Sequence, residues 1–318
     1  MLPSRYNVEN LRRVLRDPRR LRTELEAIGY RIDRAAAARR HPPADAVDVA
    51  GADWDSLLVL DACRYDLFEA HSDLPGDLRK VESPGTQSLE FLRETFGDGP
   101  HHDTVYVSAN PFTTRLEPDT FHRLIDLFDD AWDEAAGTVP PDAVVEAACE
   151  AHDEYPNKRL VVHFMQPHYP FLGPTGRRID PGAMTGHVVG REQADEPTDS
   201  VWDRLAAGDP DLDRETVWRA YAENLDVVES EVRRLVECLD GKSVVTSDHG
   251  NLVGERLWPV PLRRYGHPGG LRVAELVEVP WLELPAEGRR EVTADPPERT
   301  DRAESGTVER RLDRLGYA

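Results

Sequence analysis

The chain has 318 residues, which is enough for one large domain or at most two, with a sizeable buried core. Hydrophobic residues make up 39% of the sequence and six tryptophans occur, a composition that excludes a wholly disordered chain. The 60 acidic and 39 basic side chains give a formal net charge of −21, which argues against nucleic acid or an anionic membrane as the main partner, because phosphate groups select positive surfaces.

The first predicted element is a helical arm at the N-terminus. Residues 1–40 carry apolar side chains at near-helical spacing among arginines and glutamates: Leu11, Val14, Leu15, Leu21, Leu25 and Ile28. We expect an amphipathic helical extension that packs on the rest of the protein. The paired prolines Pro42 and Pro43 follow it and mark a break in the chain.

After this arm, short apolar runs alternate with helical patterns. The runs show no polar alternation, as expected for strands that are covered on both faces. The predicted strands are Leu57–Leu60, Thr104–Val107, Leu160–Phe164, Ser243–Thr246 and a stretch near Leu276–Leu284; the predicted helices are Ser88–Phe96, Phe121–Glu134, Asp142–Glu154 and Glu215–Leu239. This order predicts an α/β fold, a doubly wound and mostly parallel sheet with helices on both faces.

Two polar segments complete the predicted organisation. Residues 174–210 are rich in Gly, Pro and Asp and are expected to form a long loop or lid. A polar linker leads to a short amphipathic helix from Val308 to Leu315. The predicted parts are a helical extension at 1–48, an α/β catalytic domain at 49–285, and the linker with its helix at 286–318.

Polar side chains follow three of the predicted strands. Asp61 follows the first, His168 comes shortly after Leu160–Phe164, and Asp248 with His249 follow Ser243–Thr246. The carboxyl ends of parallel strands meet at one edge of the sheet, where ligands bind. A strand-end Asp is often only a turn former or a helix cap, and a lone loop histidine is often simply packed. An Asp-His pair at a Gly turn is more specific, and the set favours a divalent cation of the Zn or Mn type.

These segments resemble the alkaline phosphatase superfamily in its sulfatase-like branch, over roughly residues 52–285. Asp-Ala-Cys-Arg-Tyr-Asp at 61–66 is similar to the family's first-strand motif, and Thr-Ser-Asp-His-Gly at 246–250 to its late metal-binding motif. The segments at 166–171 and 265–268 resemble its two further histidine segments.

The resemblance implies one firm metal site. Its ligands would be Asp61, Asp248, His249 and the oxygen of the nucleophile, with His267 as a further ligand; Zn²⁺ or Mn²⁺ is expected, and Ca²⁺ or Mg²⁺ is the alternative. A second ion at His163, His168 and His267 is the weaker reading, because these rings can instead donate to the oxygens of the substrate.

The family's nucleophile lies at a helix N-terminus after the first strand unit, which here points to residues 83–92. Thr86 is the preferred nucleophile and metal ligand, and Ser88 the second choice; either hydroxyl alternatively serves as a simple N-cap. The proline that the family commonly has two residues after its nucleophile is missing. None of the three cysteines has a Cys-x-Pro-x-Arg setting, so a hydroxyl nucleophile is favoured over formylglycine.

The expected function is metal-dependent hydrolysis of phosphate or, less favoured, sulfate esters, small or glycan-linked. His168 or His267 would protonate the leaving oxygen, and Arg64 would pair with Asp66 or orient Asp61. One alternative is a phospho-group transferase acting on glycans or lipid-linked sugars. Others are a non-catalytic family member that binds an anion or partner, and an interaction scaffold built on the terminal helices.

Several features predict a cytoplasmic protein. No run approaches the roughly 20 apolar residues of a membrane helix, and the N-terminal residues carry charge where a signal peptide has its apolar stretch. Cys63, Cys149 and Cys238 stand in unrelated contexts, with neither a disulfide framework nor a zinc pattern. Three lysines beside 36 arginines, with the acidic surplus, indicate adaptation to molar salt; a GC-rich genome is the other explanation. The sequence leaves the oligomeric state open.

Overall fold

The computed structural model describes residues 18–179 and 200–298, with side chains from residue 27 onward, and a seven-stranded sheet lies at its centre. The strands of this sheet, in chain order, are β1 (Ser56–Asp61), β2 (Asp77–Glu82), β3 (His101–Ser108), β4 (Phe121–Asp126), β5 (Arg159–Pro167), β6 (Ser243–Thr246) and β9 (Glu278–Glu283). A separate hairpin is formed by β7 (Leu252–Arg256) and β8 (Arg263–Gly266).

The sheet has the order β2-β9-β6-β1-β5-β3-β4. The five strands from β6 to β4 run parallel to one another, whereas β9 is antiparallel to both β6 and β2. The prediction of a mostly parallel α/β sheet is confirmed. Since β1 lies between β6 and β5, the segments that follow these three strands emerge side by side at one edge.

Helices cover both faces of the sheet. Leu58 and Leu60 of β1 join one core cluster, which includes residues of two long helices, while Leu57 and Val59 join the cluster on the opposite face. The helices are α1 (Pro18–Arg40), α2 (Tyr65–His71), α3 (Ser88–Phe96), α4 (Leu127–Asp130), α5 (Pro141–Glu154), α6 (Pro174–Ile179), α7 (Val201–Ala207), α8 (Arg214–Cys238) and α9 (Ala274–Val277). Helix α3 has the bounds predicted for it, and α5 and α8 each differ by one residue at one or both ends.

The predicted helix Phe121–Glu134 is wrong. Its first six residues form strand β4, which pairs in parallel with β3, and only Leu127–Asp130 is helical. Phe121 packs against the rings of Phe96 and Tyr106, with ring centroids 5.2 and 4.9 Å apart. Sheet pairing and aromatic packing therefore override the helical pattern. Strands β2, β7 and β8 were also missed.

Some predicted segments lie outside the described residues. These are the arm before residue 18, the predicted helix from Val308 to Leu315, and residues 180–199 of the predicted loop. The described parts of that loop contain α6 and α7, so helices stand where a loop was expected. Helix α1 agrees with a helical extension. No helix in the ranges 18–179 and 200–298 is long and apolar enough to cross a membrane.

A disulfide bond joins Cys149 of α5 to Cys238 of α8, across 89 residues of sequence. The sequence reasoning had found no disulfide framework, and this bond corrects it. Their sequence contexts gave no sign of the pairing, because it depends on the packing of α5 beside α8. Cys63 is free and buried, as expected for a small apolar filler.

Candidate metal centre

Two neighbouring strands place the acidic side chains of the site. β1 and β6 run parallel with Val59 opposite Thr246, so Asp61 at the end of β1 and Asp248 just after β6 come together. Asp61, Asp248 and His249 are completely buried, and one ligand atom of each lies within 4.8 Å of the others. His249 Nε2 is 3.6 Å from Asp61 Oδ1 and 3.4 Å from Asp248 Oδ2. Three of the five predicted metal ligands are thus brought together.

Backbone amides orient Asp248. Its Oδ1 accepts hydrogen bonds from the N–H groups of Ala62 at 3.0 Å and His249 at 2.9 Å. Ala62 has a φ of 59°, a left-handed conformation that is costly for a residue with a side chain and that concentrates at functional sites. This turn aims the Ala62 N–H at Asp248, and the other carboxylate oxygen is left to face the cluster.

The second oxygen of Asp248 gives a test of metal binding. Oδ2 is buried and makes no hydrogen bond within the described residues; the nearest imidazole nitrogens are those of His249 and of His163, the latter 3.6 Å away. Burial by itself raises the pKa of Asp248, but the His249 and His163 imidazoles and the Ala62 N–H outweigh it and hold this pKa below its usual range. An ionised buried oxygen without a donor calls for a cation.

His249 presents a nitrogen suited to a metal. Its Nδ1 lies 2.8 Å from the carbonyl oxygen of Gly250, so the Nδ1–H donates there and Nε2 keeps its lone pair. Gly250 permits this turn, because a Cβ at that position would lie 2.2 Å from the carbonyl oxygen of Glu275. Two carboxylates and an imidazole form a donor set that fits a divalent cation of the Zn or Mn type.

Ser88 is the hydroxyl that meets the cluster. It is the first residue of α3, it is buried, and its Oγ lies 3.3 Å from His249 Nε2. The preferred candidate, Thr86, is held elsewhere: its hydroxyl donates to Glu90 Oε2 at 2.8 Å and accepts from the N–H of Gly270 at 2.8 Å. Of the two candidate hydroxyls, that of Ser88 therefore lies at the cluster, because the first turn of α3 directs it there and Thr86 is held in the preceding loop.

His168 and His267 form a pair beside the metal ligands. Their Nε2 atoms are 3.0 Å apart, and the His267 ring lies 4.6 Å, between centroids, from that of His249. Burial lowers the pKa of His168 to about 4 and that of His267 well below its usual value, so both rings are neutral at pH 7. The described ligand group within 4.8 Å consists of Asp61, Asp248 and His249, so His267 is placed next to this group and not in it.

Arg64 and His163, two other residues singled out in the sequence, lie outside the group of Asp61, Asp248 and His249. Arg64 binds Asp66 through two bonds of 2.8 and 2.6 Å and Glu255 through one of 2.8 Å. Its guanidinium is therefore committed to carboxylates outside the metal group, and Arg64 is a positioning residue that supports the turn after His249. His163 Nδ1 lies 2.9 Å from the Tyr106 hydroxyl, and its other nitrogen faces Asp248.

Two asparagines that the sequence reasoning missed hold the site in place. Asn110 donates from Nδ2 to Asp61 Oδ2 at 2.8 Å. Asn224 of α8 donates to the carbonyl oxygens of Pro167 and His168 and accepts from the N–H of Leu172, which fixes the loop that carries His168. Asn110 comes just after strand β3 at the same sheet edge, so the strand-end rule that predicted Asp61 could also have found it; Asn224 has no such signal.

Comparison with known proteins gives similarity in structure only. No family profile and no curated protein matches the chain. The periplasmic domain of Escherichia coli EptC, in complex with Zn, matches with a TM-score of 0.47 and 13% identity over 76% of this chain and 75% of that one. Neisseria meningitidis EptA, an integral membrane lipooligosaccharide phosphoethanolamine transferase, matches with a TM-score of 0.44 and 12% identity over 74% of this chain. This chain spans about half, 49%, of the length of that protein.

A third match is the periplasmic domain of the Campylobacter jejuni phosphoethanolamine transferase EptC, with a TM-score of 0.39 and 14% identity over 72% and 77% of the two chains. These three matches are likenesses of structure at 12–14% identity.

The prediction of a cytoplasmic protein is wrong. The matching structures are periplasmic domains and an integral membrane protein. The bond between Cys149 and Cys238 agrees with this correction, because structural disulfides persist mainly in oxidising compartments.

Proposed function

We propose that this protein transfers a phospho group from a phosphate ester or diester to an acceptor hydroxyl, with Ser88 as the covalent nucleophile. The observation that carries the proposal is the position of Ser88 Oγ, 3.3 Å from His249 Nε2 inside the buried Asp61, Asp248 and His249 cluster. A divalent cation held by these three residues would lower the pKa of a neighbouring hydroxyl and offset charge on the phosphoryl oxygens.

The chain's own residues supply the remaining parts of the reaction. Ser88 Oγ gives its proton to the His168 and His267 pair, which is neutral at pH 7, and attacks phosphorus. The bond from phosphorus to the leaving oxygen breaks, and the protonated pair passes its proton to that oxygen. The acceptor hydroxyl then gives its proton to the same pair and attacks the phosphoserine; the bond from phosphorus to Ser88 Oγ breaks, and the pair returns the proton to Ser88.

The start of α3 suits the charge on the transferred group. Gln87, the N-cap residue, makes no side-chain capping bond, so the N–H groups of the first helical turn remain available to phosphoryl oxygens. Preorganised N–H donors of this kind are worth most in a site that excludes water. The burial of Ser88 and of all three metal-binding side chains makes this site such an environment.

Burial also supports transfer over hydrolysis. A transferase must keep water from its covalent intermediate until the acceptor arrives, and enclosed sites do this. The name of Neisseria meningitidis EptA, a lipooligosaccharide phosphoethanolamine transferase, guides the choice of an alcohol on a lipid-linked glycan as the acceptor to test. The hydrolase remains the second candidate, with water in place of the alcohol, because its first half-reaction uses the same residues.

The test separates the two candidates and the two hydroxyls. We would supply p-nitrophenyl phosphate, a p-nitrophenyl phosphodiester and p-nitrophenyl sulfate after chelation and after return of Zn²⁺ or Mn²⁺, with and without glycerol as a model acceptor. Transfer predicts that the phosphorylated alcohol accumulates and that p-nitrophenol release rises with glycerol. Free phosphate as the main product at every glycerol concentration would support the hydrolase instead.

Variants identify the nucleophile. Ser88→Ala is expected to lower turnover by about three orders of magnitude or more, as removal of a covalent nucleophile does. Thr86→Val keeps the shape of the side chain, removes the hydroxyl, and serves as the matched control. Mass spectrometry of a quenched reaction should find phosphate on Ser88. A Ser88→Ala protein with normal turnover, or a phosphate on Thr86, would disprove the assignment.

A further inference from the structure

We propose that the outer face of α1, together with the tip of the β7–β8 hairpin, is a binding surface for an anionic lipid membrane. The surface consists of Ile28, Ile32, Arg39 and Trp258, with Arg31 beside them, and we refer to it as the arm face. It does not depend on the proposed activity, since it lies outside the metal centre.

The arm face is built on a helix that is firmly packed on its other side. Asp33 is buried and accepts a hydrogen bond from the N–H of Val260 at 2.9 Å, and the Tyr30 hydroxyl donates to the carbonyl oxygen of Gly269 at 2.9 Å. Ala37 is buried in a cluster with Leu257 and other leucines. One side of α1 therefore holds the helix to the hairpin and to the loop after His267, and the opposite side is left to solvent.

That solvent side is unusually apolar. Only four large hydrophobic side chains are exposed in the part of the chain whose side chains are described, and three of them belong to the arm face: Ile28 at 42%, Ile32 at 45% and Trp258 at 65%. Ile28 and Ile32 are one helical turn apart and share a face. Trp258 lies beside Arg40 at the C-terminal end of the helix, and paired exposed apolar residues such as Ile28 and Ile32 mark an interaction site more often than single ones do.

The charge of this region is opposite to that of the rest of the protein. Residues 27–40, the part of α1 whose side chains are described, contain four arginines and one acidic residue, a net charge of +3, whereas the other 304 residues carry −24. Arg31 and Arg39 are exposed on α1, and the Arg40 guanidinium stacks 4.5 Å from the ring centre of Trp258. The acidic balance of the whole chain hid this asymmetry and led to the exclusion of an anionic membrane.

Basic charge beside isoleucine and tryptophan matches the chemistry of a lipid surface. Arginines are attracted to anionic headgroups, while the apolar side chains insert at the boundary with the acyl chains. Nucleic acid also attracts arginine, but its backbone offers nothing to Ile28 and Ile32. The acidic remainder of the protein would be repelled by the same membrane, so the arm face is the side that turns toward it.

Such binding would also orient the metal centre. Tyr30 contacts Gly269, and the next residue, Gly270, donates to Thr86 in the loop before α3. His267 lies two residues before Gly269. Helix α1 is thus joined, on the side opposite the arm face, to the loop that borders the site, so a bound membrane would fix the orientation of the metal centre relative to the lipid surface.

The experiment measures flotation of the full chain with phosphatidylcholine vesicles, with and without phosphatidylglycerol. We expect binding to the anionic vesicles, weaker by about tenfold on phosphatidylcholine alone and in high salt. Ile28→Ser with Ile32→Ser, and separately Trp258→Ser, should each lower the partition coefficient by about tenfold. Val292→Ser is the matched control, because Val292 is the fourth exposed hydrophobic residue, at 37%, and lies outside the arm face.

The outcomes distinguish this proposal from its rivals. Ser88→Ala protein should bind vesicles as the wild type does, so loss of the proposed activity leaves the lipid result unchanged. Equal binding by the Ile28, Ile32 and Trp258 variants would overturn the proposal, as would the absence of any preference for anionic vesicles. If the protein binds DNA and the Ile28→Ser, Ile32→Ser variant binds it equally well, the arm face is a nucleic-acid surface. If the protein forms a dimer that this variant does not form, the arm face binds a second copy of the chain. Either result would overturn the membrane proposal.

Discussion

Replacement of Asp248 by Asn tests the metal centre most directly. Asp248 Oδ1 accepts from the N–H groups of Ala62 and His249, and the Asn amide oxygen can keep both bonds. The amide nitrogen then replaces Oδ2, at the position 3.4 Å from His249 Nε2. One of two anionic ligands becomes a donor that cannot bind a cation, while the fold around it is retained.

The expected size of the effect follows from linkage. Loss of one carboxylate ligand should weaken metal binding by about 100-fold or more, since even partners of the ligands are worth 10–100-fold. At saturating metal for the wild type, that loss removes about 2.7 kcal/mol of metal-induced stabilisation. For 318 residues, the unfolding entropy is about 0.67 kcal/mol per kelvin, so the metal-induced rise in Tm should shrink by about 4 °C.

The assay is calorimetry of the metal-free protein and of the same protein with Zn²⁺ or Mn²⁺. The metal-induced difference is the quantity to compare, because the imidazoles that lower the pKa of Asp248 also stabilise its charge in the metal-free protein. Asp126→Asn is the matched control: Asp126 also ends a parallel strand, but it caps α4 through the N–H of Phe128. An unchanged metal-induced shift in Asp248→Asn, or none in the wild type, would refute the metal centre.

Three further outcomes are expected. Asn110→Ala removes the donor to Asp61 Oδ2, so metal affinity measured by titration calorimetry should fall by about 10–100-fold while Ser88 phosphorylation at saturating metal persists. Burial raises the pKa of Glu229 from 4.5 to about 7, so folding favours its protonated form, and the free energy of unfolding should fall as the pH rises from 4.5 to 7. We expect this fall to be about 1–3 kcal/mol when it is measured by urea unfolding, and Glu229→Gln should flatten it. Joint replacement of Cys149 and Cys238 by Ser should lower stability by about 2–4 kcal/mol, and reductant should then no longer change the Tm; a variant as stable as the oxidised wild type would mean that the bond contributes nothing.

The elements of the fold that the sequence predicted correctly are those with a single strong hydrophobic pattern. The apolar runs of β1, β5 and β6 are buried on both faces, so their lack of alternation indicated a parallel sheet. Strand β2 gives no such signal, because Asp77–Glu82 is mostly polar and only partly buried at the sheet edge. The hairpin β7–β8 lies outside the main sheet and reads in sequence as a loop after the metal motif.

The location of the protein was misjudged for a different reason. The cytoplasmic prediction rested in part on three cysteines in unrelated sequence contexts, which gave no disulfide framework. The disulfide was hidden because Cys149 and Cys238 become neighbours only when α5 packs beside α8. Both errors come from reading local chemistry without the contacts that fold the chain.

The difference between strand pairing and loop conformation explains which residues of the candidate site the sequence predicted. Asp61 and Asp248 end adjacent parallel strands, and a register with Val59 opposite Thr246 forces their convergence whatever the loops do. Ser88 depends instead on where α3 begins, and a shift of two residues there exchanges it for Thr86. The side chain of Glu90 settles this, because it accepts from both the N–H and the hydroxyl of Thr86 and holds that residue before the first turn. Strand pairing therefore made the convergence of Asp61 and Asp248 predictable, whereas the choice of hydroxyl beside them depends on a loop and is visible only in the structure.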